Sequence, residues 1–125
     1  MLTFVRSDRG SVAAEFAMVL PVLILLSIGS IGFMLMMSSM TALHFASEDA
    51  ARCAAINKTT CSSVGTTQTY AANKYKGPAI SGLAFAVSTS ACGKRVVGSG
   101  TIQLATGLTR ISVPVTATAC YPNQS

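Results

Sequence analysis

From Phe16 to Leu43 the chain runs for 28 residues without a formal charge, and this stretch decides where the molecule can live. As a helix rising about 1.5 Å per residue it reaches about 42 Å, more than the roughly 30 Å hydrocarbon core of a bilayer. A cleavable secretory signal has an apolar run of only about 7 to 15 residues, closed by a small-x-small site and a polar mature start. The stretch is therefore expected to span a membrane. Composition agrees, since 10% charged residues is far below the roughly 25% of a soluble domain. Arg6 and Arg9 precede the stretch and the next basic residue is Arg52, so the positive-inside rule predicts residues 1–10 in the cytoplasm and residues from about 45 onward outside.

Beyond Leu43 the pattern becomes amphipathic, with Phe45, Ala46, Asp49, Ala50, Arg52, Cys53 and Ile56 in an Ala-rich segment free of Gly and Pro. The sequence predicts a leader over 1–10, a membrane helix over 11–43 with Ser11 as N-cap and a bend at Pro21, and an exported continuation over 44–56. A small α+β domain follows over 57–125. Within that domain a short helix is expected at Gln68 to Tyr75, stopped by Gly77 and Pro78, and a short strand at Leu83 to Ser88. Two further strands, Val96 to Leu104 and Ile111 to Ala119, alternate apolar and polar residues and read as an antiparallel hairpin. Taking Ala105 to Leu108 as its turn sets Leu104 opposite Thr109. Pro114 marks the last strand as an edge, or points outward.

All four cysteines, Cys53, Cys61, Cys92 and Cys120, fall on the predicted exterior, which implies an oxidising compartment. An exported domain of about 70 residues buries too little core to dispense with staples. The hairpin register brings Cys92 within one residue of Cys120, predicting Cys92–Cys120 and, by remainder, Cys53–Cys61. Zinc is disfavoured, because the spacings of 7, 30 and 27 intervening residues contain no C-x-x-C pair and no His lies nearby. The net charge of +5 is dispersed over Arg52, Lys58, Lys74, Lys76, Lys94, Arg95 and Arg110, without the clustering that a nucleic-acid footprint needs. His44 and Glu48 have helical i, i+4 spacing but no third ligand beside them. With no phosphate loop, nucleophile elbow or paired external carboxylates, neither an enzyme, a small-molecule substrate nor a cofactor is expected. Asn57-Lys58-Thr59 is a chance sequon.

The motif that points to function is Gly10-Ser11-Val12-Ala13-Ala14-Glu15-Phe16. Glu15 is a carboxylate at the mouth of a membrane run, where an unpaired charge is costly. Cutting after Gly10 would give Ser11 a charged α-amino group, and Glu15 of a neighbouring helix could neutralise it. The segment resembles the class III signal of type IV prepilins, in which a short basic leader ends in glycine and glutamate follows at the fifth mature position, often with an aromatic next. More narrowly, Arg9 to Leu23, including Pro21, looks like the TadE-like group of tight-adherence pilus proteins. Ala51-Arg52-Cys53-Ala54-Ala55, Ala91-Cys92-Gly93 and Ala119-Cys120-Tyr121-Pro122 resemble that group more loosely.

The resemblance implies cleavage between Gly10 and Ser11 by a prepilin peptidase and an assembly contact through Glu15 and Phe16. It further implies a role as a minor pilin or pseudopilin, working with other major and minor pilins and an inner-membrane assembly platform. Its implied location is the bacterial inner membrane, single-pass, with the C-terminal domain periplasmic or extracellular and a place in the pilus itself. Two alternatives share parts of the pattern. An uncleaved signal anchor carrying a small binding domain explains Arg6, Arg9 and the apolar run, but not the joint spacing of Gly10, Glu15, Phe16 and Pro21. A type II secretion pseudopilin shares the leader, though Pro21 and the hairpin favour the tight-adherence group.

Overall fold

The computed structural model describes residues 8–124. Helix α1 spans Asp8–Ile56 and α2 spans Val64–Lys74; strands β1 (Ser81–Ser90), β2 (Gly93–Ala105) and β3 (Arg110–Tyr121) follow. This is the expected α+β order of a long apolar helix, a short helix and an antiparallel sheet. A division at Phe33/Met34, inside α1, separates two compact units.

The first unit, among the described residues, is helix alone. Its apolar side chains are solvent-facing, as at Phe16, Met18, Leu25 and Phe33. Such a surface requires lipid or another helix. Two of its hydroxyls are returned to the helix: Ser27 donates to the Leu23 carbonyl at 2.7 Å and Ser30 to that of Ser27 at 2.9 Å. Among the described residues the helix already runs from Asp8, so the expected cap at Ser11 lies inside it. Nothing in Gly10 to Glu15 interrupts helical geometry.

The second unit forms around the upper part of α1. Ser39, Leu43, Ala46, Ser47, Ala50 and Ala54 recur at helical three- and four-residue steps and are buried. Most are small, so this face allows the backbone to approach its partner closely. That partner is the three-stranded sheet, in the order β1-β2-β3 and antiparallel throughout. Phe85, Val96, Ile102, Val115 and Ala119 join the helix residues in one apolar cluster. Gly98 lies at the contact: a Cβ there would sit 2.8 Å from Leu43 Cδ1 and from Phe85 Cε1, and 2.9 Å from Ser47 Oγ. Ser39 and Leu43, within the uncharged stretch, are thus enclosed by protein.

α1 ends where Asn57 turns the chain, its Oδ1 accepting from the amides of Thr59 (3.1 Å) and Thr60 (3.0 Å). A disulfide joins Cys53 to Cys61, with Cα atoms 5.8 Å apart. α2 starts at Val64, four residues before the expected Gln68. Its start is fixed by a reciprocal cap, in which the Ser63 hydroxyl accepts from the Thr66 amide and the Thr66 hydroxyl accepts from the Ser63 amide. Gln68 Nε2 then donates to the Phe85 carbonyl at 2.8 Å, tying α2 to β1.

β1 is longer than the expected Leu83 to Ser88, and the hairpin register differs by two residues. Leu104 pairs with Ile111 rather than Thr109, and Ala105 with Arg110. The cause is the turn, a two-residue loop of Gly107 and Leu108 closed by Thr106 N–H donating to the Thr109 carbonyl at 3.0 Å. Gly107, at φ +85°, takes the first central position that this tight hairpin requires to be left-handed. A two-residue shift preserves the pleat, so Val96, Ile102, Val115 and Ala119 keep the inward face they were expected to have. β3 is an edge strand and carries Pro114 exposed. The second disulfide, Cys92–Cys120, links the β1–β2 turn to β3 across a Cα separation of 6.3 Å.

Between α2 and β1 the chain folds back on α1. The Tyr75 hydroxyl donates to the Pro78 carbonyl at 2.6 Å, and Gly77 leaves no room for a Cβ against Ala42 and the Tyr75 ring. Burial pushes the Tyr75 phenol above its ordinary value of 10.0, and the nearby Ser39 hydroxyl partly opposes the shift.

Two measurements check this packing. Gly98→Val should destabilise the second unit by about 1–3 kcal/mol through overpacking against Leu43 and Phe85, read as a lowered thermal midpoint of the detergent-solubilised chain. Because the folded-state pKa of Tyr75 is raised, its contribution is fully present below pH 10 and is lost as pH rises through the folded value. Tyr75→Phe should therefore lower stability at neutral pH, yet make the fall above pH 10 shallower in a pH series of melts.

Candidate functional site

The candidate site is the N-terminal part of α1, and its geometry is that of a helix edge with no protein cover. Gly10, Ser11, Glu15 and Phe16 are all exposed, Phe16 at 62%. Ser11 and Glu15 are four residues apart, so they lie on one face about 6 Å apart along the axis. Among the described residues the one contact between a basic side chain and a carboxylate is elsewhere, between His44 Nε2 and Glu48 Oε1 at 3.5 Å. α1 is helical from Asp8 among the described residues, so the Gly10–Ser11 peptide lies within the helix. Arg6 and the rest of Met1 to Ser7 lie outside the described residues.

Pro21 lies inside α1. Its missing N–H leaves the Ala17 carbonyl without the usual partner four residues on, a deficit that a neighbouring group must meet in lipid. The apolar part of this helix is wholly uncovered by the rest of the described chain. Sequence and structure therefore agree on a membrane-anchoring helix whose surface must be covered by lipid or by other helices.

The remaining sequence candidates do not converge on this edge. His44 and Glu48 form an exposed i, i+4 pair on the upper part of α1, and no group of three His, Cys, Asp or Glu able to hold a metal occurs among the described residues. Cys53, Cys61, Cys92 and Cys120 are paired in disulfides within the second unit. Residues that sequence reasoning passed over are Lys74, Lys76, Leu108 and Arg110. The first two border Phe45 and Gly77, whereas Leu108, at 96% exposure, forms the hairpin tip beside Arg110. Their separation along the chain hid any relation.

The N-terminal part of the chain is thus a hydrophobic helix entered by Gly10 and carrying Glu15, and it continues into a small α+β unit. Residues 10–52 match the family model described as TadE-like protein, so over this segment the chain is similar to that family, which points to the tight-adherence pilus system. The match begins at Gly10, takes in Glu15, Phe16 and Pro21, and stops before Cys53, leaving α2 and the sheet outside it. No curated protein and no solved structure matches the chain.

Proposed function

We propose that the protein is a minor pilin or pseudopilin that takes part in assembling a tight-adherence pilus once its leader is removed between Gly10 and Ser11. The observation that carries this reading is the placing of Glu15. It stands five residues after Gly10, at the start of a helix whose apolar surface has no cover from its own chain. In an uncleaved anchor such a carboxylate is only a cost. After cleavage the amine of Ser11 and the carboxylate of Glu15 share one stripe. A neighbouring helix displaced by about 6 Å then brings its amine beside this Glu15, a charge-assisted contact in a low-dielectric setting. Phe16 packs next to that contact, and a bend at Pro21 adjusts how the helices run alongside one another.

On this reading the Gly10–Ser11 peptide is helical in the intact chain, so the helix must open locally to offer a peptidase an extended substrate. The partners on this reading are a prepilin peptidase, major and minor pilins and the inner-membrane assembly platform. The second unit lies on the far side of that membrane.

Intact-mass measurement of the membrane-extracted protein tests the cleavage: the expected N-terminus is Ser11, and retention of Met1 would reject processing. Glu15→Ala is expected to leave cleavage and membrane insertion intact while pilus assembly is lost, read by immunoblot of sheared surface fractions. Unchanged assembly in that variant would favour the signal-anchored alternative.

A further inference from the structure

α1 enters the second unit at Met34 and ends at Ile56, so by connectivity the Met34 end of this unit is the one next to the bilayer. The sheet is oriented against that axis by two contacts. Far from Met34, Ala51 and Arg52 border one cavity with Ala119, Cys120 and Tyr121, and Ala119 pairs with Val96. Closer to Met34, Leu43 and Ser47 meet Gly98. β2 therefore runs toward the bilayer end as its numbering rises. From Gly98 to Ala105 it covers about 23 Å, against about 14 Å of helix from Leu43 to Met34. Even a strongly inclined strand brings the β2–β3 tip level with the start of the unit.

That tip carries Leu108, 96% exposed in a two-residue turn, with the exposed Arg110 just after it. Lys74 and Lys76 lie beside Ser38, Thr41 and Phe45 of α1, and Phe45 is 63% exposed. Lys74 Nζ stands 5.3 Å from the centre of the Tyr70 ring and remains exposed. The acids of this unit, Glu48 and Asp49, border the cavity at the opposite end. The bilayer end thus combines apolar side chains with three cations and no carboxylate, the combination that suits a headgroup region holding anionic phosphates.

We propose that this end of the second unit rests on the membrane surface, with Leu108 at the boundary of headgroups and acyl chains and Lys74, Lys76 and Arg110 on anionic phospholipid headgroups. This contact rests on membrane anchoring alone, so it stands whether or not the chain is a pilin.

The chain has no Trp, so Leu108→Trp in the full-length protein supplies a single reporter. In vesicles of phosphatidylcholine containing about a third phosphatidylglycerol, its emission should be blue-shifted and quenched by lipids brominated near the headgroup end of their chains. Quenching should be weaker in phosphatidylcholine alone. Adding Lys74→Gln, Lys76→Gln and Arg110→Gln, all at exposed positions, should lower the ratio of seated to free tip roughly fivefold per charge removed, with both disulfides retained as a check on folding. Water-like emission in both lipids, or quenching indifferent to the three substitutions, would overturn the proposal. A blue shift that tracks protein-to-lipid ratio and ignores brominated lipid would also overturn it, by showing that a second copy of the chain covers the tip.

Discussion

The approach of α1 to β2 at Gly98 is the contact on which the second unit depends. A sheet of three strands has one face to bury, and a single helix offers only a narrow stripe with which to cover it. The stripe works because it is built from Ala and Ser, with Leu43 as its one large fully buried member. Ser39 and Ser47 can be buried because each returns its hydroxyl to a carbonyl four residues back, at 2.9 Å in both cases. Close packing of backbones takes the place of bulk. The Tyr75 segment and α2 then close the sides that a lone helix leaves open.

This arrangement also explains how one helix serves two solvents. Before Met34 the apolar residues are exposed on all sides, as lipid demands; from Ser39 onward a buried stripe of small residues and Leu43 faces the sheet, while His44, Glu48 and Asp49 stay exposed together with Phe45. The uncharged run outlasts the change, because Ser39 and Leu43 are apolar or neutral for the sake of the protein core. From Gly10 to Phe33 the helix is about 36 Å long, closer to a bilayer core than the full uncharged run and with modest excess for tilt.

The anchoring helix was legible in the sequence because lipid imposes a compositional demand that no neighbouring residue can relax. The facing of the hairpin residues was legible for a similar reason, since alternation alone sets which side of the pleat is buried. Register was not, because it depends on the turn. Reading Ala105 to Leu108 as a four-residue turn missed that Gly107 could take the left-handed position of a two-residue one. The start of α2 was obscured by a cap that uses Thr66 where Glu or Gln is the usual signal. Glu15 stood out through its spacing from Gly10, whereas Lys74, Lys76 and Arg110 come from separate segments and nothing in their spacing relates them.

The two disulfides close loops of very different span, 8 and 28 residues, and neither loop contains or crosses the other. As the chain emerges from its N-terminal end, Cys53 meets Cys61 before any other thiol exists to compete with it. Cys92 then has no free partner until Cys120 arrives. Oxidation in order of appearance yields the native connectivity, so the order of the sequence itself guards against scrambled pairs without an isomerase having to repair them.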